Sequence, residues 1–300
     1  MKKFKKIALF LAALLFALPL AACGGDGAPA GTEPADGRAR VVILAGQSNM
    51  EGWSYVSYAE RKLSADEYAA YDAGAPNVRI TYARAETAEN GNPFRSVSFG
   101  QGVDDLHFGP EIGISRVLGE RCPETKFYLV KYAVGGSSMH TDWRPPSSGG
   151  TGTLYTAMTE YVTSVLQYLT EQGVDYVVSD FCFMQGEADS GTQSVAAAYA
   201  DTLKLFMSDV REEFSQWAPE GGIRFIDGLI SDSSFWPYYE LVNESKRLAA
   251  GDDPKNAVLD TLAAGLEYDS EPEGAPDLAH YDALSMLELG KMFGEAIAKE

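Results

Sequence analysis

Residues Val41–Gly52 read VVILAGQSNMEG, five apolar residues running directly into Gly-Gln-Ser-Asn-Met. A short apolar run ended by glycine is the pattern of a strand covered on both faces, as in a parallel sheet. Sheets of that kind carry their chemistry just beyond the carboxyl ends of their strands. Ser48 occupies that position and is the candidate nucleophile.

A serine hydroxyl attacks only when a base takes its proton, so the chain must also supply a histidine and an acid. It has three histidines: His107, His140 and His280. His280 lies in Pro276–Phe293, PDLAHYDALSMLELGKMF, with Asp277 three positions earlier and an apolar, helix-like run after it. At that spacing a short loop brings the Asp277 carboxylate to the imidazole, where it fixes the tautomer and stabilises the imidazolium. Ser48, Asp277 and His280 then form a candidate triad.

Outward from the opening stretch, strand-like runs fall at Val41–Ala45, Val78–Tyr82, Phe127–Tyr132, Tyr176–Met184 and Ile223–Ile230. Helical periodicity marks Glu111–Arg121, Leu154–Gln172, Ser194–Phe214 and Ala283–Lys299. Strands alternating with helices predict an α/β fold, a three-layer α/β/α sandwich around a mostly parallel, flavodoxin-like sheet. Ser48, Gly135 and Gln185 each follow a predicted strand and should meet along one sheet edge. Arg84–His107 and Asp142–Gly152 are long connections that would border a cleft.

Four blocks, GQSNMEG (Gly46–Gly52), FGPEIGIS (Phe108–Ser115), KYAVGGSS (Lys131–Ser138) and FMQGEAD (Phe183–Asp189), followed by DLAH (Asp277–His280), carry a family resemblance. The chain resembles the SGNH hydrolases, and among them the sialate O-acetylesterase-like and family-six carbohydrate esterases, which include acetylxylan esterases. The resemblance implies that Ser48 attacks an ester carbonyl, His280 is the general base and Asp277 orients it. It also implies an oxyanion hole made of the Ser48 N–H, a backbone N–H in the Gly135-Gly136 turn and the Gln185 amide. Preorganised neutral donors of that kind each contribute on the order of 2.7 to 4 kcal/mol in acyl transfer. The asparagine usual in the third block of the wider superfamily is absent, with QGEAD in its place, which points to the carbohydrate-esterase branch. Nor is the motif the G-x-S-x-G elbow of α/β-hydrolases, because Met50 stands where the last glycine would be.

Gln47, Asn49, Glu187 and Trp143 are read as substrate contacts or loop supports, and a structural role is favoured for Glu187 and Asp189. Trp53 and Trp143 each present a flat face that could stack on a sugar ring, against ordinary packing. Arg84, His107 and His140 read by default as surface or loop-ordering residues. Asp282 reads as a helix-start residue complementing the dipole.

The amino-terminal segment is basic (MKKFKK) and then apolar from Ile7 to Leu20, too short for a membrane span. Leu20-Ala21-Ala22-Cys23 matches a bacterial lipobox, so residues 1–22 are expected to be a lipoprotein signal peptide and Cys23 the lipidated residue. Residues 23–38, rich in Gly, Ala and Pro, read as a tether, and 39–300 as the esterase domain. Removing Met1–Ala22 with its four lysines takes the formal net charge from −19 to −23. Such a surface repels phosphate backbones, and nucleic acid is not an expected partner. Cys122 and Cys182 lack the spacing of a zinc site or a redox pair. A disulfide between them stays open, and no metal or cofactor is called for.

The leading expectation is an exported, lipid-anchored serine esterase that deacetylates a carbohydrate. The alternatives are an esterase or lipase on another acyl ester and a non-catalytic glycan-binding lipoprotein.

Overall fold

The computed structural model of the chain describes residues 37–84 and 91–299. The expected signal peptide, Cys23 and most of the tether lie outside these residues, as does part of the Arg84–His107 connection. Strand β1 (Ala39–Gly46) is buried along its whole length, and a single helical turn, α1 (Ser48–Glu51), follows it. The chain then runs through β2 (Ser54–Tyr55), α2 (Val56–Lys62), α3 (Ala65–Asp72), β3 (Val78–Tyr82), β4 (Arg95–Ser96), β5 (His107–Phe108) and α4 (Glu111–Arg121) to β6 (Phe127–Ala133). The second half holds α5 (Thr153–Glu171), β7 (Tyr176–Met184), α6 (Gln193–Ala197), α7 (Tyr199–Glu213), β8 (Arg224–Gly228), α8 (Tyr239–Gly251), β9 (Asn256–Leu259) and α9 (Ala283–Ala298).

The main sheet has the order β4-β3-β6-β1-β7-β8-β9 and is parallel throughout except where β4 pairs with β3. Its five strands β6-β1-β7-β8-β9 follow the flavodoxin-like order 2-1-3-4-5, with β3 and β4 added at one edge. Helices cover both faces, α4 packing on α9 on one side and α7 on α8 on the other. Both faces of β1 are therefore dry, which is why Val41–Ala45 reads as an unbroken apolar run. The chain leaves β1 first toward β3 and β6, and later crosses to β7 on the opposite side. That reversal puts the topological switch point at the end of β1, immediately before Ser48.

Close packing at this point demands glycine. Gly46 has φ of 143°, and a Cβ there would fall 2.0 Å from the Met184 carbonyl oxygen of β7. The same carbonyl accepts the Gln47 N–H at 2.8 Å, so it cannot retreat without cost. Gly46→Ala is expected to destabilise the protein by about 3 kcal/mol through strain and overlap. A urea midpoint unchanged from wild type would contradict this packing.

The expected helix over Ser194–Phe214 is broken at Ala198 into α6 and α7. The break turns Tyr199 inward, where its hydroxyl donates to Gln185 Oε1 at 2.8 Å. The last expected strand is shorter than Ile223–Ile230, with Arg224–Gly228 paired, and β9 and α8 were not foreseen. Cys122 and Cys182 are buried thiols and no disulfide joins them; burial pushes the Cys182 thiol well up.

Candidate active site

Three strand ends meet at the switch point. Ser48 follows β1, the Gly135-Gly136 turn follows β6, and Gln185 follows β7. The loop before α9 brings in Asp277 and His280, and their side chains join at 2.6 Å between Asp277 Oδ2 and His280 Nδ1. The His280 hydrogen bond holds the Asp277 carboxyl below the usual carboxylate range, against the opposing pull of its partial burial.

Asn49, the neighbour of Ser48, fixes this loop to the end of β1. Its Nδ2 donates to the Ala279 carbonyl at 3.3 Å, and its Oδ1 accepts the Tyr281 N–H at 3.2 Å. The two peptides on either side of His280 are thus clamped by the residue next to Ser48. Glu187 in turn accepts from Asn49 Nδ2 at 2.9 Å. Glu187 is fully buried, its other oxygen has no hydrogen-bond partner among the described residues, and burial raises its pKa. Gln47 works from the other side of Ser48, its Oε1 accepting from the Gly186 and Ala188 amides at 3.2 and 3.3 Å. Gln47 and Asn49 are therefore loop supports in this structure.

Gln185 is not placed as expected. Its amide nitrogen lies 2.6 Å from Asp189 Oδ2, 3.1 Å from the Ser137 carbonyl and 3.3 Å from Gln47 Oε1, and the side chain is fully buried. With only two amide hydrogens to give, it has none left for an oxyanion. Asp189 gathers the same loop, accepting also from Ser138 Oγ and from the Met139 and His140 amides. Gly135 departs from expectation as well, because its N–H donates to Glu51 Oε2 at 2.9 Å. Gly136 has φ of 69°, the left-handed conformation that glycine adopts without penalty, and a Cβ there would meet nothing within 4 Å.

Trp143 is a core residue, not a sugar platform. It is fully buried, its Nε1 donates to Ser137 Oγ at 2.7 Å, and it packs edge-on against Tyr132 and Phe183. Trp53 instead lies at the site, its indole stacked on the His280 ring at 4.9 Å and 18°. His107 bonds Asp104 and lies 6.1 Å from Trp53, whereas the exposed His140 contributes its backbone N–H to Asp189. Arg84 donates to the Gly102 carbonyl and pairs with Asp105. Asp282 does stand at the start of α9, yet its carboxylate accepts from Ser270 and Glu271 and caps no helix amide.

Residues 38–299, nearly all of the described chain, match the family described as carbohydrate esterase, sialic acid-specific acetylesterase. The chain belongs to that family. A search of curated protein sequences returned no significant match. Among solved structures, this carbohydrate esterase is similar to a protein from Arabidopsis thaliana, at 18% identity over 87% of this chain and 98% of that one, with a TM-score of 0.63. NanS is similar at 15% identity over 87% of this chain and 97% of the other, with a TM-score of 0.58. A carbohydrate acetylesterase from Xanthomonas citri gives 16% identity and a TM-score of 0.56, over 85% of this chain and 55% of that longer one. At these identities the three likenesses establish a shared fold.

Two features of this esterase went unread in its sequence. Glu51 meets both Gly135 and Trp53; it lies three residues after Ser48, and i,i+3 neighbours share a helix face, so the spacing held a usable signal. Beneath it, Lys131 inserts its Nζ among the Glu51 carbonyl, the Gln101 carbonyl and Glu111 Oε2, at 3.0, 2.6 and 2.9 Å. This buried ion pair explains why KYAVGGSS and FGPEIGIS each carry one charge inside an apolar run.

Proposed function

We propose that this carbohydrate esterase removes O-acetyl groups from a carbohydrate through an acetyl-Ser48 intermediate, with His280 as the base and Asp277 as its orienting acid. The observation that carries the reading is the Asn49 clamp. It ties both peptides flanking His280 to the residue beside Ser48, so the Asp277–His280 pair is held over the end of β1.

Ser48 Oγ attacks the acetyl carbonyl as His280 takes its proton, and the carbonyl oxygen becomes an oxyanion. With Gln185 and Gly135 committed elsewhere, the donors in reach of this reading are the Ser48 and Gly136 amides. The Ser48 N–H opens α1 and has no intrahelical acceptor, so it is available to an anion. Collapse expels the sugar oxygen, which leaves with the proton from His280. Water then gives its proton to His280, attacks acetyl-Ser48, and acetate departs as Ser48 recovers its hydrogen. The Trp53 indole beside His280 is half-buried and offers a flat surface to the departing sugar.

The lipobox at Leu20–Cys23 supports a protein exported and held at the membrane by lipid on Cys23, facing polymeric or glycan substrates outside the cell. The functional reading is tested by acetate release from acetylated xylan, O-acetylated sialic acid and a simple acetyl ester, with Ser48→Ala assayed alongside. Release that disappears in the variant supports the reading and ranks the substrates. A folded wild-type protein that releases acetate from none of them refutes it.

A further inference from the structure

One carboxylate oxygen at the site has a role that the Ser48, Asp277 and His280 reading leaves unused. Glu51 Oε2 accepts the Gly135 N–H at 2.9 Å and the Trp53 indole N–H at 2.9 Å. Each of these two donors belongs to a part of the site that must hold still. Gly135 opens the turn that contains the Gly136 amide, and its Cα packs so closely that a Cβ would lie 3.0 Å from Glu51 Oε2 and 3.5 Å from Ser48 Cβ. The Trp53 ring stacks on the His280 imidazole. Glu51 itself is on α1 with Ser48, and its carbonyl is pinned from below by Lys131. A single oxygen thus links the helix that bears Ser48, the glycine turn and the indole against which His280 leans.

The geometry points to Glu51 as a positioning residue that sets the distance between the glycine turn and the His280 imidazole, acting through Gly135 on one side and Trp53 on the other. This inference rests on the esterase reading of Ser48 and His280. A charged oxygen suits the task because hydrogen bonds to a carboxylate are shorter and stronger than neutral ones, and they hold the turn and the ring at fixed angles. Glu51 need not touch the substrate. Its effect comes from keeping reacting groups in an attack-ready arrangement, where a misplacement of about 1 Å costs about 10²-fold in rate. The opposite reading of the same contact is a carboxylate that blocks the Gly135 amide and restrains the enzyme, and the two readings predict opposite signs.

The test uses 4-nitrophenyl acetate, whose small leaving group makes little use of a sugar-binding surface, and measures kcat and KM separately for Glu51→Ala, Glu51→Gln and Trp53→Phe. Melting temperature is measured for each. The rate of Ser48 labelling by a fluorophosphonate is followed in parallel. Glu51→Ala is expected to lower kcat by about 10- to 100-fold with KM within about twofold of wild type. Glu51→Gln keeps an acceptor oxygen and should recover most of the loss. Trp53→Phe keeps the ring but loses the N–H, and should lower kcat by roughly three- to tenfold. An unchanged or raised kcat in Glu51→Ala, a loss confined to KM, or equal losses in the alanine and glutamine variants would overturn the proposal. Should the alanine variant not fold, Trp53→Phe with wild-type kcat, or Glu51→Gln as slow as an alanine variant of His280, would overturn it. Failure of the esterase reading shows separately, as wild-type protein that releases no acetate. Even then, Ser48 labelling that is equally fast in wild type and Glu51→Ala counts against the inference.

Discussion

Ser48→Ala is expected to reduce acetate release by a factor on the order of 10⁴ to 10⁶, with the melting temperature almost unchanged. The stability half of this expectation follows from the surroundings. Ser48 is held by backbone: its carbonyl accepts the Gly52 N–H, and its neighbours Gln47 and Asn49 make the side-chain contacts that lock the loops. Removing one hydroxyl leaves that frame intact. The activity half follows from covalent catalysis, because no other side chain at the end of β1 offers a replacement nucleophile on the same helix turn. Residues that act as a unit are grossly non-additive. His280→Ala should therefore be about as slow as Ser48→Ala, and the double variant no slower than either. Losses that multiply in the double variant would mean that the two residues do not act together.

Asp277→Asn is expected to lower kcat by about 10⁴-fold, with little change in KM, since the amide cannot hold the imidazole in the tautomer that accepts a proton from serine. The same substitution has a signature in acid. The folded Asp277 carboxyl is depressed by its His280 hydrogen bond, so the unfolded chain binds the proton more readily than the folded one. Its stabilising contribution is fully present above the ordinary carboxylate range and is lost as pH falls through the depressed folded value. Wild type should therefore be more stable than Asp277→Asn near neutrality, and the two curves should converge at low pH. Acid titration of the urea midpoint checks this. A constant gap across the range would mean that Asp277 stabilises the fold by something other than its charge.

Much of the frame was readable because its physical cause is local. β1 is covered on both faces, so Val41–Ala45 is apolar at every position, and α5 places Met158, Val162, Val165 and Leu169 on one buried face at helical spacing. The helix α8 was missed because its buried face is polar as well as apolar. Asn243 accepts the Ile230 N–H and donates to the Ile230 carbonyl, and Lys246 pairs with Asp227 at 2.5 Å. Burial raises the pKa of Asp227 to about 6, even beside that lysine. The buried apolar positions of α8, Val242 and Ala249, lie two turns apart, and Ser245 and Lys246 fill the buried face between them, so the apolar stripe is interrupted by polar residues. β9 was missed because NAVL is four residues long and only half-buried.

The site divides in the same way. The placement of Ser48 at the end of β1 and of Asp277 against His280 was legible because strand-end position and Asp-x-x-His spacing are themselves the signal. Gln185 was misjudged because its amide is claimed within the folded loops, by a carboxylate four residues on and by a carbonyl 48 positions away. Asp189 and Ser137 claim the Gln185 amide, and Ser137 also accepts the Trp143 indole N–H. Asn49 and Glu51 act through contacts across 230 and 84 positions of sequence; the i,i+3 spacing from Ser48 puts Glu51 beside the site but does not name the Gly135 partner.

The most direct test of the account is to quench the protein in acid during turnover of an acetylated substrate and map its peptides by mass. One acetyl group is expected on Ser48, absent from Ser48→Ala and more abundant in Asp277→Asn if deacylation is slowed more than acylation. Acetate release that proceeds at the wild-type rate in Ser48→Ala, or an acetyl group carried on another residue, would contradict it.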